Sequence, residues 1–205
     1  IIDIPIDAPS ELMINEVSTG EPLAAAVLAV SGAPVRNQVK QAGSLILPAN
    51  PLPHSLSIAD ALSVDLRMEG GAMGQLREAS YQGQMYDLRT LVLEKGKAWT
   101  FNGEAGTTVK PLFISALGRT VTVNMINETR WPHAMHIHGH HFQVVERNGV
   151  QIADAPWRDT ELVEPGDSTR IAFVADNPGK WLFHCHMLEH HMAGMGTWFE
   201  VGRSS

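Results

Sequence analysis

Short runs in which apolar and polar residues alternate, broken every few positions by Gly, Pro, Asn or Asp, recur along the whole chain. Ile2, Ile4 and Ile6 alternate with Asp3, Pro5 and Asp7; Ala26 to Val30 is an apolar run closed by Ser31 and Gly32; Ser44 to Leu47 runs into Pro48. A period of two is the signature of half-buried strands. From Pro48 to Ser57 the sequence reads PANPLPHSLS, and three prolines in that span suit an extended linker. We therefore divide the chain into residues 1–48, a linker at 49–57 and a larger domain at 58–205. Beyond the linker, strands are expected at Leu62 to Met68, Lys97 to Asn102, Leu112 to Ser115, Arg119 to Asn127, His141 to Arg147, Ser168 to Val174, Lys180 to His186 and Gly196 to Val201. The Gly- and Gln-rich stretch from Glu69 to Gln84 is expected to be a loop. No long amphipathic helix competes, so the prediction is all-β: a sandwich or Greek-key barrel of seven or eight strands. The first forty-odd residues are too few to close a sandwich and are expected to pair with something outside this chain.

Composition narrows the partners. At 205 residues, 44% hydrophobic and 18% charged, the chain can bury a real core. Its formal charge of -7 offers no basic field for a nucleic-acid backbone or an anionic membrane. No apolar stretch reaches the length of a membrane span. Cys185 is the sole cysteine, so cysteine pairing says nothing of the redox compartment. The chain opens at Ile1 without an initiator Met, and an earlier start of the polypeptide is expected.

The chemistry lies in the histidines. Nine of the ten fall in two windows, WPHAMHIHGHHF at Trp131 to Phe142 and WLFHCHMLEHHMAGM at Trp181 to Met195. Successive side chains of a strand point to opposite faces, so His184 and His186 share one face while Cys185 projects from the other. One strand can thus serve two sites. His136 and His138 repeat the same spacing. A thiolate, two imidazoles and a weak thioether are the ligand set of a blue-copper site. Cys185, His190 and Met195 supply it along one strand end and turn, with His133 arriving from a neighbouring segment. Structural zinc usually takes more thiolates than the single one here. The runs are interleaved with Trp, Phe, Ile and Leu, unlike a surface tag. His54 is read as a linker residue, and His140, His141 and His191 as supporting or packing residues. Met68, Met73, Met85 and Met192 are read as filler or loop positions, and Arg158 with Asp159 as a buried structural ion pair.

The two windows resemble the C-terminal copper motifs of the multicopper oxidases. The family pattern H-x2-H-x-H appears as His133, His136, His138, and H-C-H-x3-H-x4-M as His184, Cys185, His186, His190, Met195. FNGEA at Phe101 to Ala105, PWRDT at Pro156 to Thr160 and DNPGKWLFHCH at Asp176 to His186 extend the likeness, which covers Ile58 onward well and the N-terminal part weakly. The resemblance implies a cupredoxin Greek-key β-sandwich, preceded by the tail of a partial second cupredoxin domain. It assigns copper as cofactor: His133, Cys185, His190 and Met195 to the type 1 site, His136 to type 2, and His138, His184 and His186 to the type 3 pair. Cys185, His184 and His186 then carry electrons from one site to the other.

By the same resemblance, reduction of O2 to water needs eight histidines in four H-x-H pairs. His136 with His138 and His184 with His186 are two such pairs, so an N-terminal part of the same oxidase, as a fragment or partner chain, is expected to supply the others and share the type 2 and type 3 coppers. Laccase-like oxidation of phenols or aromatic amines is the expected activity. Cuprous or ferrous metallo-oxidation is the alternative, and a blue-copper electron carrier the reading from another class. Periplasmic or secreted localisation follows from the resemblance alone. His191 stands where many bacterial relatives carry a proton-relaying acid, and strand alternation is expected to turn Glu189 away from the oxygen site. The thioether of Met195 implies a type 1 copper of lower potential than Leu or Phe would give.

Overall fold

The computed structural model describes residues 10–16, 21–32, 52, 56–153 and 155–202. The expected strands at Ile2 to Ile6 and Ser44 to Leu47 lie outside these residues, as do His54 and most of the linker. The chain divides into two compact units, residues 1–52 and 53–205.

In the first unit β1 (Ser10–Glu16) and β2 (Leu23–Val30) form an antiparallel hairpin. Its apolar side chains Met13, Leu23, Val27 and Leu28 are exposed.

The second unit holds β3 (Leu62–Gly70), β4 (Glu78–Tyr81), β5 (Gln84–Asp87), α1 (Leu88–Lys95), β6 (Trp99–Phe101), β7 (Glu104–Ala105), β8 (Ile114–Ser115) and β9 (Thr120–Asn127). It continues with β10 (His133–Ile137), β11 (Gln143–Arg147), β12 (Val150–Gln151), β13 (Thr160–Val163), β14 (Ser168–Val174), β15 (Gly179–Cys185), α2 (Leu188–Met192) and β16 (Gly196–Val201). One sheet has five strands in the order β13-β10-β15-β16-β8; the other has nine, β12-β11-β14-β9-β3-β6-β7-β4-β5. The fold is the expected all-β one, built on two sheets.

The core follows from alternation. In β9, Val121, Val123 and Met125 turn inward; in β14, Ile171 and Phe173 do so. Phe113 stacks on Phe199 at 4.9 Å, with Phe173 tilted against both, so aromatic rings fill the space between the sheets. Each such buried ring is worth roughly 1.5–3 kcal/mol relative to an exposed one.

Of the stretch 69–84 expected to be a loop, residues 71–77 are irregular as expected, whereas from Glu78 the structure has the β4–β5 hairpin, followed at once by α1. Two positive-φ residues at the tip, Gln82 at 52° and Gly83 at 80°, make the turn, so Gln occupies the position where Asn is the usual signal. Helix α1 is defined by its ends rather than by periodicity. The Asp87 carboxylate accepts the Thr90 N–H at 3.1 Å, and Gly96 closes the helix in the left-handed conformation.

Candidate metal centres

The centres are built by the register between β10 and β15. Met135 pairs with Cys185 and His136 with His184. His133, Met135 and Ile137 of β10 and Phe183 and Cys185 of β15 are buried in the core between the sheets. His136 and His184 occupy the alternate positions on those strands and so belong to the sheet's other face. A slip of one residue would exchange the two sets.

On the core face, Cys185 Sγ lies 3.6 Å from His190 Nδ1 and 3.9 Å from His133 Nδ1, and the two Nδ1 atoms are 3.1 Å apart. Cys185 and His133 are fully buried and His190 is partly so. Burial, and then the neighbouring His190, push the His133 pKa down to about 3; burial lowers His190 and raises the Cys185 thiol. Backbone N–H groups of Met187 and Ala134 at the sulfur partly offset the last effect. Trp99 packs against both imidazoles, at 5.0 Å from His133 and 4.7 Å from His190.

His190 stands on α2, so the segment after Cys185 is a short helix rather than a simple turn. Its return is pinned by Gly194, whose φ is 128° and where a Cβ would meet the Trp99 carbonyl oxygen at 2.2 Å. Met195, fully buried, donates its N–H to the His190 carbonyl at 3.0 Å and accepts the Cys185 N–H at 3.1 Å, closing the loop around the cluster.

On the opposite face, His136, His138 and His184 each offer a ring nitrogen, all within 4.8 Å of one another, with His138 Nε2 3.1 Å from His184 Nε2. His186 lies at the rim, exposed, its ring 5.3 Å from that of His136 and 5.7 Å from that of His184. His136 Nδ1–H donates to the Asp159 carbonyl at 2.9 Å, and His184 Nδ1–H to the Cys185 carbonyl at 2.9 Å. A carbonyl only accepts, so both rings keep a free lone pair on Nε2. Burial is the main cause that lowers His184 to about 4, and it also lowers His138.

Two neutral imidazoles and a thiol converge at spacings close to the roughly 3.3–3.8 Å expected between ligands about 2 Å from a shared ion. One soft sulfur with two imidazoles suits copper better than a structural zinc. The second cluster offers imidazole alone, a donor that copper accepts readily. Both donor sets fit copper.

Some supporting residues carry no sequence signal. Thr129 and Trp99 hold His133, and Thr160 Oγ1 lies 2.9 Å from His136 Nδ1. Their distance from the motif in sequence hides them. The expected Arg158–Asp159 ion pair is absent. Arg158 pairs with Glu161, which also binds Arg147 and is 3% exposed, whereas the Asp159 side chain is exposed and accepts the Thr160 hydroxyl at 2.9 Å. Adjacent side chains of an extended chain point to opposite faces, which parts Asp159 from Arg158, and the bend at Asp159 lets Glu161 turn back to the guanidinium. Glu189 is exposed on α2, where strand alternation does not govern its direction.

The sequence model of the multicopper oxidase family matches residues 82–205, more than half of the chain. Multicopper oxidase MmcO of Mycobacterium tuberculosis is 42% identical over 99 residues, covering 48% of this chain and 19% of that protein. Iron multicopper oxidase fer1 of Mycosarcoma maydis is 36% identical over 101 residues, covering 42% of this chain and 16% of that protein. The crystal structure of McoA multicopper oxidase from Aquifex aeolicus superposes with a TM-score of 0.55 at 28% identity, covering 75% of this chain and 32% of that one. The matched segments thus span less than a fifth of either curated relative. With a Cys–His cluster and a His cluster back to back on one strand pair, and the family match running through both, the chain belongs to the multicopper oxidase family.

Proposed function

We propose that this chain supplies the C-terminal copper-binding domain of a laccase-like oxidase, which removes single electrons from phenols or aromatic amines and reduces O2 to water. Bound copper supplies the one-electron redox chemistry. The observation that carries the reading is the pairing of Met135 with Cys185 beside that of His136 with His184, which sets a thiol site and an imidazole site on opposite faces of one strand pair. Cys185 and His184 are consecutive residues, so a single peptide unit joins the two.

His133, Cys185, His190 and Met195 form the type 1 site in this assignment. His136 serves type 2, and His138, His184 and His186 serve type 3. Two further H-x-H pairs come from an N-terminal part of the same oxidase. A simple electron carrier would have no use for His136, His138, His184 and His186. No helix among the described residues is long and apolar enough to cross a membrane, and we assign the protein to the periplasm or the exterior on the family resemblance.

Metallo-oxidation of Cu(I) or Fe(II) is the second reading. In its favour, the relative from Mycosarcoma maydis is named an iron multicopper oxidase. A cavity of about 570 Å³ beside Thr129 is also lined by Glu69, Glu78, Glu128 and Met73, donors suited to a small cation. Steady-state oxygen uptake by the complete enzyme with a phenolic dye, with Cu(I) and with Fe(II) separates the two. Turnover of the metal ions alone would overturn the laccase-like reading. An intense blue band without the near-ultraviolet absorption of a bridged copper pair would overturn both in favour of a carrier.

A further inference from the structure

His133 reaches the thiol cluster from a buried polar array that the copper motif does not include. Asn127, at the end of β9, is 1% exposed, and Thr129 is 3% exposed. Asn127 Nδ2 donates to the carbonyls of Trp131 at 2.7 Å and Val163 at 3.0 Å. Carbonyls cannot donate, so the amide has one orientation, and Asn127 Oδ1 is left as an acceptor. Two hydrogen bonds reach it from Thr129, from the N–H at 3.0 Å and the hydroxyl at 2.7 Å. The Trp131 carbonyl, 3.0 Å from the same hydroxyl, is likewise only an acceptor.

The single hydroxyl proton of Thr129 therefore points away from the imidazole. Its oxygen accepts the Trp131 N–H at 3.1 Å and lies 2.8 Å from His133 Nε2, where it can only accept again. In that arrangement His133 carries its proton on Nε2 and presents a bare Nδ1 to Cys185 and His190. The other tautomer would take the hydroxyl from Asn127 Oδ1 and aim an N–H at the position a metal would occupy.

We propose that Asn127 and Thr129 are positioning residues for His133, holding it in the Nε2–H tautomer through a fully satisfied Asn–Thr–His hydrogen-bond chain and so setting the metal affinity of the cluster. The inference rests on the metal-site reading above. Outer partners of this kind typically change metal affinity by about 10–100-fold.

The test begins with the metal-free full chain, labelled with nitrogen-15 at histidine, in which long-range proton–nitrogen correlations report each ring's tautomer directly. His133 should appear as the Nε2–H form; the Nδ1–H form would overturn the proposal. Thr129→Val removes the hydroxyl at nearly constant shape, whereas Thr129→Ser keeps it. In competition with a Cu(I) chelator, Thr129→Val should weaken binding about tenfold or more and Thr129→Ser by less than about twofold. With Co(II), the thiolate charge-transfer band should shift in Thr129→Val and not in Thr129→Ser. A purely structural role predicts lower stability with tautomer, affinity and band unchanged, and that result would refute the lock. Should Thr129→Val fail to fold, the wild-type tautomer and the Thr129→Ser affinity still decide. Wild-type chain showing the Nε2–H form but taking up no copper would refute the metal reading and leave the tautomer assignment standing.

Discussion

A buried thiol beside two neutral imidazoles fixes how the first cluster answers to protons. Burial raises the Cys185 thiol above the ordinary thiol range, so at neutral pH the free site holds a protonated sulfur. His133, lowered to about 3, and His190, also lowered, hold no extra proton there. A metal takes the thiolate, so binding near pH 7 should release about one proton per chain, and affinity should rise about tenfold per pH unit up to the thiol pKa. Calorimetry in two buffers of different ionisation enthalpy reads this directly; release near zero or near two would contradict the protonation pattern. His133 also ties stability to pH. Its folded value of about 3 lies below the ordinary 6.5, so between those limits the unfolded chain binds a proton that the folded chain refuses. The contribution is complete above pH 6.5 and is lost as the pH falls toward 3, at a slope of up to about 1.4 kcal/mol per pH unit. Urea unfolding of the metal-free chain at pH 7 and pH 5 should show the loss, and His133→Asn should reduce it. An equal loss in that variant would trace the effect to other groups.

At the level of strands and helices, register does most of the work, because pairing Met135 with Cys185 and His136 with His184 sorts the ligands between faces. Strand β13 borders β10, its Thr160 pairing with His136, and is tied down by Glu161, which is buried and holds both Arg147 and Arg158. Glu161→Ala would leave the two guanidiniums facing a gap, and we expect a loss of roughly 3 kcal/mol. Copper binding at Cys185 should be disturbed less than at His136, whose Nδ1 rests on the neighbouring Asp159 carbonyl and Thr160 hydroxyl. Thermal unfolding with copper titration checks both; equal weakening at the two clusters would show that β13 is not a local support. Much at this level was legible. Runs rich in Val, Ile, Thr, Phe or Trp between Gly, Pro and Asn signals mark β9, β14, β15 and β16, whose side chains fill the core. Strand β10, the β4–β5 hairpin, α1 and α2 were not. The Gln82–Gly83 turn lacks the Asn that would mark a hairpin in the second half of 69–84, and α2 is five residues long, too short to show a helical period. The ligands themselves stood out because adjacent strands bring closely spaced histidines together, whereas Thr129 and Trp99 meet His133 through the packing of segments that no local pattern connects.

On the scale of the molecule, the two clusters differ in closure. The first lies between the sheets, with His133, Cys185 and Met195 wholly buried, and in the proposed assignment it draws every donor from this chain. The second is open: His138 and His186 are exposed, and only His184 is buried. A complete, desolvated site binds an ion with few reorganised groups, while an open set of imidazoles leaves the ion in water and free to exchange. The chain alone should therefore retain a single copper ion through desalting against a weak chelator, and Cys185→Ser should lose it. Further copper should bind the open face but be stripped by the same chelator until the rest of the oxidase covers it. Copper per chain, measured before and after the chelator and with and without that part, tests the proposed division of ligands. Firm retention of a second ion by the chain alone would show that His136, His138, His184 and His186 suffice, and the need for further H-x-H pairs would fall.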